Sequence, residues 1–466
     1  MANVRDYGAV GDGVSDDTAA LEHAVNDGDG LLVFPRGEYR ISRTLRVNLS
    51  RSRRTGIDGS GGTARIVMTG PGPAISIVGS HDKTADPTDV AATVWDAERM
   101  PTVRSIEITT THPEADGIRL EGFFQATITG VLLRNVRHGI HVVRQGRNLL
   151  VSHCHIYRCT GAGVYFQEAN LHQAVVASSH VSYCRLGGVR IEGGEIRNLQ
   201  ITGNDIEYNT NRSIGLPGAD AEATAEILVD CREGTIREGT IASNTIQATA
   251  SPGGANIRFL GTADRVGMWT IAGNVIGSQS VNVHLVGAAG VAISGNYIYG
   301  GHERNIFVER SRLIAIGSNV IGHNPDHRDP PIAAGIRFED CHDSSLTGVL
   351  VQDAIAGRGG GRDTAAVAKE ATVELVRCRR MNLSGCQILD PLAIGLLVED
   401  CHDTLVSGCT ILDSRPQPLM QTAMSWRSSA GAAALSGCAV VNCRLQDVAV
   451  SQEVRTAENI VGPPEP

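Results

Sequence analysis

Aromatic residues are scarce in this chain, and no long apolar run interrupts it. Phe, Trp and Tyr make up 4% of the 466 residues. No stretch approaches the roughly 20 apolar residues that a membrane-spanning helix needs, so no membrane partner is expected. Positive charge is also in deficit, because 41 Lys and Arg oppose 50 Asp and Glu, for a net charge of −9. This balance argues against a phosphate-binding surface, so no nucleic-acid partner is expected either.

Cysteine is present, but not in the patterns that indicate zinc sites or disulfides. The chain has 11 cysteines, an odd number, and no Cys-x-x-Cys pair. Several stand where other repeats have Asn, which predicts small buried side chains. No metal site and no resident cofactor are expected. The first residues lack an apolar secretory segment, so localisation stays open between a protein that remains in the cell and one whose leader has been removed.

A short phrase recurs along the chain. It consists of alternating apolar residues, a small residue, Asn or Cys, one variable residue, and then Ile or Val. Within it, Asn274, Asn296 and Asn319 lie 22 and 23 positions apart. A fixed period in the twenties with period-two alternation predicts an all-β solenoid, a parallel β-helix whose coils stack about 4.8 Å apart.

The first 50 residues differ from the rest and predict an N-terminal cap. Thr18 to Val25 has the apolar stripe of an amphipathic helix between two strand-like segments, and Asp16-Asp17 precedes it as a helix start. The coils are expected over residues 51–445, followed by a tail over 446–466. Three stretches without periodicity predict long loops, near residues 79–101, 209–225 and 353–370.

The opening of the chain resembles a known family. Asp6 to Thr18, followed by Val33 to Tyr39, is similar to the start of pectate-lyase-superfamily proteins. These are right-handed parallel β-helices: polygalacturonases, polysaccharide lyases, epimerases, fructotransferases and phage tailspikes. The resemblance implies a right-handed coil, a carbohydrate partner and a homotrimer. It does not choose among activities, because this segment caps the fold.

Alternation along each strand predicts which side chains point away from the core. One strand of successive coils presents His141 and Val143, Tyr165 and Gln167, Arg190 and Glu192, and Leu228 and Asp230. The Asn/Cys-x-Ile strand presents His155 and Tyr157, His180 and Ser182, and Asp205 and Glu207. These residues become vertical neighbours in a solenoid, so the polar excess is expected between residues 140 and 230, with fewer such groups in later coils.

Four carboxylates in this region are the predicted catalytic residues: Asp205, Glu207, Glu192 and Asp230. Asp205 and Glu207 stand two apart on one strand face, about 6.6 Å between Cα atoms. Inverting glycosidases need two carboxyls at about 6.5–9.5 Å, and two like charges this close raise one pKa, as a general acid requires. Asp205, Glu207 and Asp230 would instead hold calcium if the protein were a lyase with Arg190 as base.

Seven further residues are predicted to bind substrate: Arg190, Tyr165, Gln167, His155, Tyr157, His180 and Asp220. Arg190 would fix a carboxylate through paired hydrogen bonds. The tyrosines offer an apolar face with a polar tip, which suits sugar rings. Asp220 lies in the predicted loop and would overhang the same groove.

The predicted function is that of a carbohydrate-active enzyme. Paired carboxylates would cleave or transfer glycosidic bonds of a poly- or oligosaccharide, as a hydrolase or fructotransferase does. Two alternatives remain open: a polysaccharide lyase with an arginine base, and a non-catalytic tailspike shaft or adhesin. The identity of the sugar polymer and the stereochemistry of cleavage are not decided by the residues.

Overall fold

The computed structural model describes residues 1–83, 87–210, 224–262, 264–324, 326, 335–352, 370–429, 435–449 and 454–462. The chain forms two compact units, residues 1–240 and 241–466. Each is built from coils of parallel strands, and the fold class is the predicted right-handed parallel β-helix. A coil contributes, in chain order, to three sheets that we name A, B and C.

Sheets A and B hold the longer strands. In unit 1, sheet A contains Leu45–Asn48, Ile75–Val78, Ile118–Phe124, Ile140–Ser152, Val164–Ala177, Val189–Glu192 and Ala225–Cys231. Its sheet B contains the ends of the two longest of these strands and Ala2–Asn3, Leu31–Val33, Gly56–Asp58, Thr102–Arg104, Thr127–Thr129, Glu195–Thr202 and Thr235–Ala242. In unit 2, sheet A contains Ala255–Gly261, Val281–Val286, Arg304–Glu309, Ile336–Glu339, Ala371–Val376, Ala393–Glu399 and Met420–Arg427. Its sheet B contains Val266–Ala272, Ala288–Ser294, Arg312–Ile316, His342–Thr347, Arg379–Ser384, Leu405–Ser407, Ala439–Val441 and Arg455–Ala457.

Sheet C holds the short strands that follow the Asn or Cys of each repeat. In unit 1 these are Asp12–Asp16, Gly37–Ile41, Ala64–Met68, Glu107–Thr110, Leu132–Arg134, His155–Tyr157, His180–Ser182 and Asp205–Glu207. In unit 2 they are Thr245–Gln247, Val275–Gly277, Tyr297–Tyr299, Val320–Gly322, Leu350–Gln352, Gln387–Leu389, Thr410–Leu412, Arg444–Leu445 and Ile460–Val461. Most of these strands are three residues long because each is bounded by corners.

The helices are few and cluster near the N-terminus. They comprise the 3₁₀ turn Val4–Tyr7, the α-helices Thr18–Asp27 and Leu49–Ser52, the 3₁₀ turn Pro87–Asp89 and the π-helical turn Val94–Glu98. Helix Thr18–Asp27 is the predicted capping helix. Asp16 accepts from the backbone N of Thr18 at 3.0 Å, whereas Asp17 turns away to bind the backbone of residues 10 and 11. Only the first of the two aspartates therefore caps the helix.

The core is a set of stacked columns, one residue per coil. In sheet C, Ile156, Val181 and Ile206 pair in register and are each fully buried. The Asn residues of the repeat lie at the corner between sheets B and C, where they form a hydrogen-bonded ladder from coil to coil. The amide of Asn274, for example, donates to Oδ1 of Asn296 at 3.0 Å. Each coil thus buries apolar side chains only against its neighbours, as in other solenoids.

All 11 cysteines are buried and unbridged. Those at the Asn position donate to backbone carbonyls of the preceding coil, as Cys386 does to Leu346 at 3.5 Å. The prediction of small buried side chains is therefore confirmed.

Coil pairing extends beyond both ends of the predicted coil region, residues 51–445. Strand Leu31–Val33 already pairs with Gly56–Asp58, so the predicted cap contains coil strands of its own. Beyond residue 445, strands Arg455–Ala457 and Ile460–Val461 pair in parallel with the preceding coil. Strand Ile460–Val461 follows Asn459, a further copy of the Asn-x-Val phrase that lies within the predicted tail. The Asn459 amide donates to the carbonyl of Val440 at 3.0 Å, as the other Asn residues of the repeat donate to the preceding coil. The predicted loops lie partly at residues 211–223 and 353–369, outside the described residues.

Candidate functional site

Two polar columns run along the outer face of sheet A in unit 1. The first stacks His141, Tyr165, Arg190 and Leu228, and the second stacks Val143, Gln167, Glu192 and Asp230. Each member is the register partner of the next, so the vertical neighbours predicted from the repeat are confirmed. The columns are less exposed than expected, since Tyr165, Leu228 and Asp230 are buried although they point outward. Side chains stacked on adjacent coils cover one another.

A cavity of about 420 Å³ opens on these columns. It is lined by Tyr165, Gln167, Glu168, Glu192, Gly193, Asp230, Arg232 and Glu233. Four of these side chains are carboxylates and one is a guanidinium. The cavity is therefore strongly acidic.

Both carboxylate oxygens of Glu192 are held by donors from neighbouring residues. The hydroxyl of Tyr165 donates to Oε2 at 2.5 Å, and the guanidinium of Arg190 binds Oε1. Arg190 is itself fixed by a hydrogen bond to the carbonyl of Leu186 at 3.1 Å. Burial, together with the Glu192 charge, raises the pKa of Tyr165 well above its ordinary value, so the phenol keeps the proton that it donates. Glu192 is thus rigidly oriented at the cavity wall.

Asp230 lies one coil above Glu192 and is held differently. Burial alone would raise the pKa of Asp230, but hydrogen bonds from Arg232 outweigh burial and lower it. The guanidinium Nε of Arg232 lies 2.9 Å from Oδ1. The Asp230 side chain is 11% exposed, whereas that of Arg232 is 65% exposed. The countercharge of Asp230 therefore lies at the solvent-exposed rim of the cavity.

A buried cluster lies in the coils below the cavity. Asp116, 2% exposed, accepts two hydrogen bonds from Arg137, at 2.7 and 2.9 Å, and lies 3.3 Å from Nδ1 of His141. The other ring nitrogen of His141 lies 3.0 Å from Oε1 of Gln167, and the ring stacks on Tyr165 at 5.0 Å. Burial alone would raise the pKa of Asp116, but Arg137 and His141 hold it far below its usual range. This chain of contacts supports Tyr165 and Gln167 from beneath.

Sequence reasoning missed Asp116, Arg137, His138 and Arg232. The first three lie at coil corners, whose side-chain direction the period-two rule does not predict. A usable signal does exist. The glycines 117, 139, 163 and 188 stand just before successive sheet A strands, and their alignment would have placed the residues preceding them at one corner.

A second polar set lies on sheet C. His155, His180 and Asp205 form one column and Tyr157, Ser182 and Glu207 the next. The two imidazole rings are 5.0 Å apart, and the Tyr157 hydroxyl lies 3.4 Å from Nδ1 of His180. Burial raises the pKa of Tyr157, with further contributions from the charges of Asp205 and Glu207. The ten sequence-predicted site residues that the structure describes thus fall on two different sheets, five on sheet A and five on sheet C. Asp220 lies outside the described residues.

Unit 2 also carries charged columns on sheet A, contrary to the expectation that polar groups thin out after residue 230. Glu374, 2% exposed at its side chain, binds Arg304 at 2.9 Å and Arg337 at 2.7 Å. His284 lies 2.6 Å from Glu309. The expectation was based on the later sheet C strands, which follow the recurring phrase and are largely apolar. The charged residues of unit 2 lie on sheet A strands, which have no such phrase to align them.

Within the described part of the chain, no group of three or more His, Cys, Asp or Glu side chains is arranged to hold a metal ion. Among the same residues, no helix is long and apolar enough to cross a membrane.

Comparisons with known proteins agree with this architecture. Residues 1–72 match the model of the rhamnogalacturonase A/epimerase, pectate lyase-like family, and residues 96–226 match that of the right-handed β-helix region. The two models match separate parts of the chain, and both support a right-handed parallel β-helix similar to those of the pectate-lyase-like superfamily.

Individual relatives match in different ways. Over 44 residues the chain is 54% identical to mannuronan C5-epimerase AlgE5 of Azotobacter vinelandii, a segment that covers 9% of this chain and 4% of that protein. The tailspike gp49 of Pseudomonas phage LKA1 is 12% identical with a TM-score of 0.52, and the alignment covers 98% of this chain and 83% of that one. Tailspike protein 3 of bacteriophage CBA120 is also 12% identical, with a TM-score of 0.44 over 99% of this chain and 59% of that one. The chain thus spans a small fraction of its curated relatives, and the structural likeness concerns the fold alone.

Proposed function

We propose that the protein cleaves or transfers glycosidic bonds of a poly- or oligosaccharide at the sheet A cavity, with Glu192 and Asp230 as the carboxylate pair. The main support is their placement. They are register partners on adjacent coils, about 4.8 Å apart at Cα, and both line one cavity. Glycoside cleavage needs two such carboxyls flanking the scissile bond.

The different partners of the two carboxylates favour different roles. Glu192 is held in position by Tyr165 and Arg190 and serves as the nucleophile or base. Asp230 depends on the exposed Arg232. When a sugar displaces that guanidinium, the buried Asp230 loses its countercharge, its pKa rises, and it holds a proton for the leaving glycosidic oxygen. Water or a sugar hydroxyl then completes hydrolysis or transfer.

The charge of the cavity supports a neutral or amino sugar as substrate. Four carboxylates would repel a polyuronate, whose own carboxylate needs cationic neutralisation during β-elimination. The lyase alternative would therefore require calcium held by these acids. The non-catalytic alternative is supported by the fold alone, which the chain shares with a phage tailspike. A homotrimer remains a prediction, which mass measurement in solution tests.

The decisive experiment compares charge-removing variants on a panel of neutral glucans, xylans, mannans and fructans, with pectin and alginate alongside. We expect Glu192→Gln and Asp230→Asn to lower turnover about 10²- to 10⁴-fold, as removal of an acid or base does, with unchanged circular dichroism. Glu238→Gln, an exposed carboxylate of unit 1 away from the cavity, is the matched control and should be silent.

Parallel variants Asp205→Asn and Glu207→Gln test the sheet C pair predicted from the sequence. Full activity of Glu192→Gln together with inactive Asp205→Asn would move the site to sheet C. Unsaturated product ends, or activity abolished by EDTA and restored by calcium, would favour the lyase. Absence of turnover on every polymer would favour a binding module.

A further inference from the structure

A second cavity lies on the outer face of sheet B in unit 1, away from the columns that carry the carboxylates. Its volume is about 580 Å³. None of its ten lining residues carries a formal charge, although a fifth of the chain is charged. We refer to it as the sheet B groove.

The backbone of the groove repeats one unusual conformation on five successive coils. Positive φ angles of 58°, 57°, 56°, 67° and 56° occur at Met100, Gln125, Asn148, Gln173 and Asn198, respectively. The corners are stacked, since Gln125 donates its backbone N–H to the carbonyl of residue 147 at 2.8 Å. Glycine adopts this conformation without strain, whereas Gln and Met do not favour it. Positive φ also recurs at other corners of the coils, and Asn tolerates it, so backbone geometry accounts for Asn148 and Asn198 but not for the choice of Met or Gln at the other three positions.

The side chains form an amide column beside an apolar strip. Asn148 donates to Oε1 of Gln173, and the amide nitrogen of Asn198 lies 2.8 Å from the His172 ring. Gln125 and Gln200 make no side-chain hydrogen bond within the described residues and remain available to a ligand.

The apolar strip lies next to these amides. Leu150 is the register partner of Val175, which pairs in turn with Gln200. Leu150 is 48% exposed and Met100 is 61% exposed. Large apolar side chains are thus held in solvent at the floor and edge of the groove.

We propose that the sheet B groove binds a neutral oligosaccharide chain lying along the solenoid axis. An amide group both donates and accepts hydrogen bonds, as a sugar hydroxyl does, and the apolar strip complements the C–H face of a sugar ring. The coil spacing of about 4.8 Å presents a new amide at intervals comparable to one sugar unit. The absence of charge excludes the ion pairs that would select a polyuronate. The inference is independent of the activity proposed for the sheet A cavity.

The test measures binding rather than turnover, in the Glu192→Gln background so that no ligand is consumed. Isothermal titration with neutral hexasaccharides (cello-, xylo-, manno- and malto-series) is compared with hexagalacturonate. We expect saturable binding of at least one neutral series. Gln125→Ala and Gln200→Ala should each weaken it about three- to tenfold, the effect of losing one neutral hydrogen bond. Leu150→Asp should weaken it more than tenfold.

The matched control is Asn382→Ala, an exposed amide on sheet B of unit 2, which should change binding less than twofold. Circular dichroism establishes that each variant folds. Three results would overturn the proposal: no neutral series binds, hexagalacturonate binds more tightly, or the groove variants leave affinity unchanged. Self-association of the wild type that Leu150→Asp abolishes, without sugar binding, would assign the groove to a second copy of the chain. The same groove variants are also made with Glu192 intact, and their turnover of short substrates is measured. This second assay tests the sheet A site independently of binding in the groove.

Discussion

The asparagine ladder of unit 2 makes a strong prediction about stability. Asn296 is 2% exposed, and its Oδ1 accepts from both the backbone N and the side-chain amide of Asn274, at 2.9 and 3.0 Å. Its own amide donates to the carbonyl of Ile271 at 3.0 Å and to Oδ1 of Asn319 at 2.9 Å. The same amide also donates to the carbonyl of Ser294 at 3.2 Å, so the substitution Asn296→Ala removes five hydrogen bonds at once.

The cost follows from the groups left behind. Asn319 Oδ1 still accepts from the backbone N of residue 296 at 3.0 Å, so it stays satisfied. The backbone N–H of Asn274 and the carbonyl of Ile271 lose their partners in the interior. An unsatisfied buried polar group costs about 1–3 kcal/mol, so we expect the free energy of unfolding of unit 2 to fall by roughly 2–5 kcal/mol.

Urea unfolding followed by tryptophan fluorescence measures this loss. Trp269 is 1% exposed and lies in the same coil as Asn274, so its emission reports the affected region. Asn382→Ala, at an exposed position on sheet B of the same unit, is the control and should change the free energy by less than about 0.5 kcal/mol. Equal effects of the two substitutions would refute the view that the ladder stabilises the stacking of coils.

Two further predictions concern unit 1. Tyr165→Phe keeps the ring that stacks on His141 but removes the hydroxyl that donates to Glu192. Because hydrogen bonds to charged groups are worth about 1.5–3 kcal/mol, we expect kcat to fall about ten- to a hundredfold with little change in KM. An unchanged kcat would contradict the role of the hydroxyl. Burial lowers the pKa of His138 from 6.5 to about 4, so the folded state favours the neutral ring. The free energy of unfolding should therefore be highest above pH 6.5 and fall by about 3 kcal/mol as the pH is lowered to 4. Urea midpoints between pH 4 and 7 should vary less in His138→Gln, and an identical slope would show that another group titrates.

The vertical columns could be predicted because two local rules determine them. The pleat sends alternate side chains to opposite faces, and the recurring Asn or Cys marks the same corner in each coil. Together these rules predict that His180 and Asp205 are neighbours, and the register of the two strands confirms this prediction. They also placed Glu192 beside Asp230.

The same rules could not identify the cavity. Tyr165 was correctly assigned to the outer face, but it is buried because rings from other coils lie against it. Asp116 reaches the site from a corner, where no period applies. The sequence favoured Asp205 and Glu207 as a pair because they lie two positions apart on one strand face. The cavity instead joins Glu192 and Asp230, which are 38 positions apart.

The kind of fold and the identity of the stacked residues follow from the amino-acid sequence, because coil period and strand alternation are properties of short segments that every repeat restates. Which outward columns are covered, which carboxylates share a cavity and which groove has no charged lining residue depend on the folded coils. Burial and electrostatic environment depend on side chains contributed by other coils and by corners, and no local pattern encodes the sum of those contributions.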